Sequence, residues 1–455
     1  MGSSGEEKFK VFMFPWLAHG HISPFLELAK NLSHRNFDVY ICSTPVNLKS
    51  IKNKIITEKY SIFMHLVELH LPDSELPPHY HTTNGLPLHL QPALFKTLKM
   101  AKSNLSILLK NLQPDLLIHD ILLEWVASVA SLHKIPALQF TTSSAAMCSY
   151  FCHLERYPEI EFPFPAIRLT DYEQSMAFNM VESAQEVSED DQVETDYGII
   201  LMNSSREIEG KYMDYLAELM NWEIVPLGAM VQDPNNIGDG NEVVDDDDTK
   251  LIEWLGGKDE RSSVFVSFGT EYFLKREEIQ EIAYGLEMSN VNLIWVIRSP
   301  KGEEIRVEEL LPERFLERVQ GRGMIVEKWA PQAKILKQSS IGGFVSHCGW
   351  NSLMESIDFG VPIIAMPMQL DQPLNAKLMV ELGVGVEVVR DGVNWRLRRE
   401  DIAKVIRDVV VGERGEILRR KVAEQRDSIR ARSREEMEGV MLKLKELCGK
   451  RRQAM

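Results

Sequence analysis

The sequence predicts an α/β fold with two doubly wound, parallel-sheet domains that face each other across a cleft. Short apolar runs alternate with amphipathic stretches, a polar segment near the middle of the chain interrupts this alternation, and the alternation then restarts. The chain has 455 residues, which is too long for one ordinary hydrophobic core. Two domains are therefore expected.

The first half opens with a strand–helix–strand unit. We predict a helix over 24–34 that begins after Ser23, because serine caps free N–H groups and Pro24, as the first helical residue, has no N–H to lose. The loop before this helix would then be held in place. Strands are predicted at 11–14, 37–44, 115–119 and 198–203.

A polar connector over 232–250 separates the two halves. Its Asp-Pro-Asn-Asn stretch, its glycines and its run of four aspartates are typical of a mobile linker. We predict an N-terminal domain over 1–240, a C-terminal domain over 241–435, and a terminal helix over 436–455 that packs back on the N-terminal domain.

The second half repeats the alternation of strands and helices. In doubly wound sheets, ligands bind beyond the carboxyl ends of the strands. Functional side chains are therefore expected just after strands, where they face the cleft. These strands are predicted at 263–267, 293–297, 324–327, 343–346 and 362–367.

Charge and composition exclude several classes of partner. The formal net charge of −16 disfavours nucleic acids and anionic lipid surfaces. No apolar run approaches the length of a membrane span, and five scattered cysteines fit a reducing compartment. We expect a cytoplasmic monomer whose partner is a small molecule. No metal is expected, since the acidic runs at 189–191 and 245–248 suit solvated loops and the histidine-containing segment 71–92 suits a substrate-side loop.

The segment 329–372 has the pattern of a nucleotide-binding site. Gly342 and Gly343 precede a strand, and the hexapeptide His-Cys-Gly-Trp-Asn-Ser at 347–352 follows it and opens a helix. A helix N-terminus carries free N–H groups and a partial positive charge, so a diphosphate can bind there without a metal. Gly349 allows close backbone approach. The side chains that can donate hydrogen bonds to phosphate are His347, Asn351 and Ser352.

Other side chains of this segment suit a nucleoside and a sugar. Glu355 lies one helical turn after Asn351, where its carboxylate can accept hydrogen bonds from both ribose hydroxyls. Trp329 follows a predicted strand and can stack on a base, although a buried core tryptophan is the alternative. Asp371 and Gln372 follow the strand at 362–367 and can reach sugar hydroxyls in the same cleft.

A general base is predicted in the N-terminal half. His21 follows the first strand, and an imidazole with a pKa of about 6.5 suits proton abstraction near neutral pH. Asp120 ends another strand of the same sheet, so its carboxylate can orient the ring and stabilise the imidazolium. His19 is the alternative base. Thr141 and Thr142 follow a further strand candidate and are either sugar contacts or core and capping residues.

The segment 329–372 resembles, over its full length, the signature box of plant secondary-product UDP-glycosyltransferases. The resemblance extends across essentially the whole chain, including the region around His21 and the Val-Ser-Phe-Gly-Thr stretch at 266–270. It implies the two-domain GT-B fold. It also implies an inverting transfer from UDP-glucose to a small-molecule hydroxyl, with His21 and Asp120 as the catalytic dyad, with acceptors bound by the N-terminal domain, and without a cofactor or metal.

By matching positions, the resemblance also implies individual roles in donor binding. Trp329 would stack on uracil and Ala330 would supply backbone hydrogen bonds to it. The final glutamine of the box usually accompanies glucose, while galactose and xylose remain alternative donor sugars. The remaining roles fall to Gln332 and Glu355 for ribose, to Thr270, His347, Asn351 and Ser352 for the diphosphate, and to Trp350, Asp371 and Gln372 for the sugar.

The acceptor class is indicated by one short stretch. The sequence Gly-Thr-Glu-Tyr-Phe-Leu at 269–274 resembles the family branch that extends existing glycosides, such as triterpenoid glucosides of the mogroside type. We therefore expect transfer to a sugar hydroxyl of a triterpenoid or flavonoid glucoside. Glucosylation of a bare aglycone and a non-catalytic nucleotide-sugar sensor are the alternatives.

Three other enzyme classes lack their motifs in this sequence. No Gly-x-Gly-x-x-Gly follows a strand, which argues against a dinucleotide-dependent oxidoreductase. The Gly-Gly-Lys at 256–258 lacks the earlier glycine of a P-loop, and no Gly-x-Ser-x-Gly hydrolase elbow occurs.

Overall fold

A computed structural model describes residues 8–55, 63–72, 76–175, 177, 198–233, 246–299, 306–392 and 395–454. Two parallel sheets organise these residues, as the strand pattern predicts. Three predicted features lie outside the described residues: the domain boundary at 240/241, most of the connector before it, and the acidic run at 189–191.

The N-terminal lobe is built on a seven-stranded sheet in the order β3-β2-β1-β4-β5-β6-β7. Neighbouring strands in this order pair in parallel. Its strands are β1 (Phe9–Phe14), β2 (Phe37–Ser43), β3 (Met64–Glu68), β4 (Leu116–Asp120), β5 (Ala137–Thr141), β6 (Ile199–Met202) and β7 (Glu223–Pro226). Its helices are α1 (His19–Ser33), α2 (Pro45–Ile55), α3 (Gln91–Lys99), α4 (Lys102–Leu112), α5 (Trp125–Leu132), α6 (Ala145–Arg156) and α7 (Arg206–Met220).

The C-terminal lobe is built on a six-stranded parallel sheet in the order β10-β9-β8-β11-β12-β13. Its strands are β8 (Ser263–Ser267), β9 (Asn292–Val296), β10 (Gly323–Val326), β11 (Ile341–Ser346), β12 (Ile363–Ala365) and β13 (Gly385–Glu387). Its helices are α8 (Asp246–Gly256), α9 (Arg276–Ser289), α10 (Val307–Leu310), α11 (Phe315–Arg318), α12 (Gln332–Leu336), α13 (Trp350–Asp358), α14 (Gln372–Glu381), α15 (Arg399–Val410) and α16 (Glu413–Ala454).

Helix α1 begins earlier than predicted, so the predicted start after Ser23 is wrong. Its N-cap is Ala18, and Pro24 lies inside the helix. A proline at this position leaves the carbonyl oxygen four residues earlier, that of Gly20, without its helical donor. In the structure Asn351 Nδ2 of the other lobe donates to that oxygen. A contact distant in sequence therefore replaces the missing hydrogen bond and lets the helix start at His19.

The glycine pair before α13 is also placed differently from the prediction. Gly342 and Gly343 lie within β11 rather than before it. A Cβ at Gly342 would come within 2.7 Å of the Arg261 carbonyl oxygen, and one at Gly343 within 3.2 Å of Val409 on α15. The glycines therefore serve close packing of β11 against its neighbours.

The segment 71–92, expected to lack regular structure, contains two short 3₁₀-helices at Pro78–Tyr80 and Leu88–Leu90 and joins α3 at Gln91. Among its described residues, His81 is buried and its Nε2 lies 3.0 Å from the Leu76 carbonyl oxygen. This imidazole therefore stabilises the loop itself.

Helix α16 connects the two lobes. Its first turns pack in the C-terminal lobe through Leu418, whereas a later face that includes Met441 and Leu444 belongs to the core of the N-terminal lobe. Arg452, near its end, forms an ion pair with buried Asp115 at 2.7 Å. The helix thereby fixes the orientation of the lobes. No helix within the described segments combines the length and apolarity needed to cross a bilayer.

Glu209 is a buried carboxyl group behind the carboxyl ends of the N-terminal sheet. It accepts hydrogen bonds from the Ala146 N–H at 2.9 Å and from Ser204 Oγ at 2.6 Å. Burial raises the pKa of Glu209 to about 7, although both hydrogen bonds act to lower it. Between the unfolded pKa, about 4.3, and this value the folded chain binds more protons, so stability falls as pH rises through the interval.

Glu209→Gln is therefore expected to flatten the pH dependence of stability. Glutamine keeps the acceptor for Ala146 and mimics the protonated acid, so the difference in unfolding free energy between pH 5.5 and 8 shrinks by an amount on the order of 2 kcal/mol. Urea unfolding of wild type and variant at both pH values measures this. Glu218→Gln, on the exposed side of α7, is the matched control. Equal pH dependence of wild type and Glu209→Gln would contradict the expectation.

Candidate active site

The strand order places the predicted site residues at corresponding points of the two sheets. The order changes direction between β1 and β4 in one sheet and between β8 and β11 in the other. Crevices open at such points in doubly wound sheets. His21 follows β1 and Asp120 ends β4, while Thr270 follows β8 and His347 follows β11. The connectivity therefore gathers these residues around one cleft.

His21 and Asp120 form a hydrogen-bonded pair. His21 Nδ1 lies 2.7 Å from Asp120 Oδ2, and the other oxygen of this fully buried carboxylate accepts the Leu122 N–H at 3.1 Å. Since a carboxylate only accepts, Nδ1 carries the proton and Nε2 is the nitrogen that can act as a base. Thr142 Oγ1 lies 2.9 Å from the same Nδ1, which places this threonine beside the base.

The charges around His21 strengthen it as a base. Burial by itself lowers the pKa of His21, but the charge and hydrogen bond of Asp120, and then the charges of Glu271 and Asp371, outweigh it, so the pKa is raised above 6.5. The side chain keeps 20% exposure, so the ring remains accessible from the cleft. A raised pKa favours transfer of the proton from a weakly acidic alcohol.

The structure brings His21, and not His19, to Asp120. The ring of His19 lies instead 4.8 Å from that of Trp329. Thr141 is fully buried at the end of β5, where its hydroxyl accepts a hydrogen bond from Gln139.

The predicted ribose ligands meet in the C-terminal lobe. Gln332 Nε2 donates to Glu355 Oε2 at 2.6 Å and to Ser352 Oγ at 3.1 Å. Ser352, which the resemblance assigns to the diphosphate, therefore also contacts Gln332, one of the two predicted ribose ligands. These bonds orient the Glu355 carboxylate before a ligand arrives.

Trp329 presents its indole to the cleft rather than to the core. The side chain is 49% exposed, while the neighbouring Ala330 is buried. The Arg298 guanidinium lies 5.0 Å from the indole centroid, and burial lowers the pKa of Arg298. An exposed ring held in this way provides a stacking surface for a base.

His347 fits between two glycines at the start of α13. A Cβ at Gly269 or at Gly349 would lie 2.6 Å from His347 Nε2, so both positions require glycine. Burial lowers the pKa of His347 to about 4, so the ring is neutral near pH 7. The N-cap of helix α13 is Gly349, which has no side chain to bond the first N–H groups, and Thr270 is half-buried beside Gly269. The arrangement suits an anion bound by neutral donors.

Asn351 and Trp350 contact the N-terminal lobe. Asn351 donates to the Gly20 carbonyl and accepts from Asn203 Nδ2 at 3.0 Å. The indole of Trp350, expected to meet the sugar, is buried, and its N–H donates to the Asn203 carbonyl at 2.7 Å. A buried indole needs a partner for its N–H, and Asn203 supplies it. The Trp350 side chain therefore joins the lobes.

Asp371 and Gln372 lie at the predicted sugar end of the cleft. Gln372 Oε1 accepts the N–H groups of Met368 and Gln369 at 2.9 and 3.0 Å, so the amide nitrogen is the end that can serve a ligand. Asp371 accepts from Asn375 Nδ2 at 2.9 Å. Burial raises the pKa of Asp371. The hydrogen bond from Asn375 lowers that pKa, but the effect of burial is larger.

Two residues of the site were missed by sequence reasoning. Asn203 follows β6, and its place at the carboxyl end of the predicted strand 198–203 could have identified it. Glu271 lies in the stretch 269–274, and its Oε1 accepts a hydrogen bond from Thr83 Oγ1 of the other lobe at 2.6 Å. Within the described segments, no group of three or more histidine, cysteine or acidic side chains could hold a metal ion.

Comparison with known proteins identifies the family of this chain. The UDP-glucoronosyl and UDP-glucosyl transferase family matches residues 230–418, and the N-terminal domain of glycosyltransferases matches residues 7–227. A beta-D-glucosyl crocetin beta-1,6-glucosyltransferase from Gardenia jasminoides is 53% identical over 94% of this chain and 96% of that protein. A mogroside IIIx synthase from Siraitia grosvenorii is 47% identical over 94% and 95%.

Solved structures give the same answer for the fold. A Glycyrrhiza uralensis enzyme complexed with glycyrrhetinic acid 3-O-monoglucuronide superposes with a TM-score of 0.81 over 98% of both chains at 23% identity. The predicted GT-B fold and the predicted family are thus confirmed. The chain belongs to the UDP-glucoronosyl and UDP-glucosyl transferase family and is a UDP-glycosyltransferase.

Proposed function

We propose that the protein transfers glucose from UDP-glucose to a sugar hydroxyl of a small-molecule glycoside, with inversion at the anomeric carbon. One observation carries this proposal: the His21–Asp120 pair of the N-terminal lobe and the Gln332–Glu355 pair of the C-terminal lobe lie in the same cleft. The names of the Gardenia and Siraitia relatives, one of which acts on a glucosyl crocetin, support a glycoside acceptor. The acceptor would be a triterpenoid or flavonoid glucoside.

The proposed chemistry is a single displacement. His21 Nε2 takes the proton of the acceptor hydroxyl, whose oxygen attacks the anomeric carbon as the bond to UDP breaks. Asp120 stabilises the imidazolium that forms. The leaving diphosphate is stabilised by the N-terminus of α13 and by the neutral donor His347, which together can replace a metal ion. Attack from the face opposite UDP converts an α-linked donor into a β-linked product.

We further propose that the enzyme works as a cytoplasmic monomer without a cofactor. All five cysteines are free thiols, which fits a reducing compartment. Both halves of the site come from one chain, so a second copy is not needed to complete it.

A product assay tests the proposed function. Purified protein is incubated with UDP-glucose and a panel of flavonoid and triterpenoid glucosides together with their aglycones, and products are read by mass and by β-glucosidase digestion. UDP-galactose and UDP-xylose run in parallel, and one series contains EDTA. Glucosides that gain one β-linked hexose, in EDTA as without it, support the proposal. Products from aglycones alone support the alternative acceptor class, and no product with any acceptor supports a sensor.

Trp329→Ala is expected to weaken donor binding without unfolding the protein. Because stacking of a base on an aromatic ring contributes roughly 1–3 kcal/mol, the Kd for UDP should rise about 5- to 150-fold. The indole is half exposed, so little core packing is lost. Calorimetric titration with UDP measures the change, and Trp329→Phe should restore most of the affinity. Unaltered UDP affinity in the alanine variant would remove Trp329 from the donor site.

A further inference from the structure

Glu271 extends from the C-terminal lobe to the N-terminal lobe at the cleft. It follows β8 by a short turn in which Gly269 has a φ of +77°, a left-handed conformation that glycine adopts readily. Thr83 Oγ1 donates to Glu271 Oε1 at 2.6 Å. The Thr83 N–H in turn donates to the carbonyl of Leu17 at 2.9 Å, just before α1. Glu271 is thereby held close to the turn that carries His21.

The Glu271 carboxylate also lies near both ends of the proposed reaction. Its negative charge raises the pKa of His21, the proposed base, in addition to the larger effect of Asp120 and against burial, which lowers it. It also raises the pKa of Asp371, the predicted sugar contact, in addition to the larger effect of burial. Asp120 has a part in the proposed mechanism and Asp371 is a predicted sugar contact, but Glu271 has neither role. Within the described segments Glu271 forms no ion pair with a lysine or arginine, and Thr83 occupies only one of its oxygens. A half-buried carboxylate in an active site with an unused oxygen is suited to a ligand that donates hydrogen bonds.

We propose that Glu271 binds the sugar ring of the acceptor glycoside, its second oxygen accepting a hydrogen bond from a hydroxyl next to the one that is glucosylated. The inference rests on the proposed function. A sugar offers such a neighbouring hydroxyl on the carbon beside the nucleophile, whereas a simple phenol offers none. A site built to bind a hydroxyl discriminates strongly against a ligand that lacks it. Glu271 is thus a specificity-determining residue that favours glycosides over aglycones.

Glu271→Gln tests this role while preserving the shape of the loop. The glutamine oxygen can still accept from Thr83, but the charged acceptor is lost. With the most active glucoside of the panel, kcat/KM should fall roughly 10- to 100-fold, mainly through a higher acceptor KM, as expected for one hydrogen bond to a charged group. The KM for UDP-glucose and the rate of UDP-glucose hydrolysis without acceptor should change far less. Glu277→Gln, an exposed glutamate at the start of α9, is the matched control and should behave as wild type.

Two results would overturn the assignment of Glu271. One is a glucoside kcat/KM in Glu271→Gln within twofold of the control variant. The other is an equal fall of acceptor-free hydrolysis, which would mean that Glu271 acts on His21 or on the donor. Failure of the proposed function is recognised separately, since wild-type protein would then transfer glucose to no glucoside at all.

Discussion

His21→Ala should lower kcat for glucose transfer by roughly 10²–10⁴-fold, the range that a positioned general base contributes. The affinity for UDP should stay close to that of wild type, because no donor ligand of the C-terminal lobe is altered. His21 is partly exposed and lies in the first turn of α1, so its removal leaves the lobe core intact. Initial rates with a glucoside acceptor and calorimetric titration with UDP measure the two quantities.

His19→Ala is the informative control for that experiment. Because the His19 ring contacts Trp329 and not Asp120, this variant should change donor affinity more than kcat. Loss of turnover in His19→Ala together with retained turnover in His21→Ala would reverse the assignment of the base.

Asp120→Asn should also lower kcat strongly, by about 10²–10⁴-fold. The asparagine amide can donate to Nδ1, which forces the proton onto Nε2 and leaves that nitrogen unable to act as a base. A second effect is on the pH profile. The pKa of His21 is raised mainly because the Asp120 contribution outweighs burial, so without the carboxylate burial lowers it. Wild-type kcat/KM should therefore fall as pH drops through a value above 6.5, and the residual activity of Asp120→Asn should fall only at lower pH.

The pH profile of kcat/KM, from pH 5 to 9, measures this shift. Asp214→Asn, an exposed aspartate of α7, is the control and should keep the wild-type profile. A profile of Asp120→Asn that coincides with that of wild type would show that Asp120 does not set the pKa of the base.

Parallel strands explain why so much of the site could be predicted. Once a strand is recognised, residues at and after its carboxyl end are expected at the cleft, so the positions of His21, Asp120 and His347 could be predicted, whereas the choice of His21 over His19 came from the family resemblance. The predicted strands all occur, each within two residues of its predicted bounds. Strands β3, β7 and β13, which are short and lie at sheet edges, were not predicted, because they carry too little apolar pattern to be recognised.

What could not be predicted depends on contacts between distant segments. Local capping chemistry favours a helix start at Ser23, and only the amide of Asn351, far along the chain, explains the earlier start. The burial of Trp350 could not be predicted for the same reason, because the hydrogen-bond partner of its indole N–H is the distant Asn203 carbonyl. Glu271 lies in a stretch that pointed to the acceptor class, but its role requires the contact with Thr83. Spacing within one motif contains no information about such partners.

The hydrogen bond from Asn351 to Gly20 makes the catalytic turn depend on the relative position of the lobes. If the cleft opens to release product, water can hydrate the Gly20 carbonyl and the Asn351 amide, so the net free energy of the exchange is small, about 1 kcal/mol. Pro24 ensures that this carbonyl cannot be satisfied within its own helix. The first turn of α1, which carries His21, is therefore aligned with the start of α13 only while the two lobes keep the orientation seen in the structure.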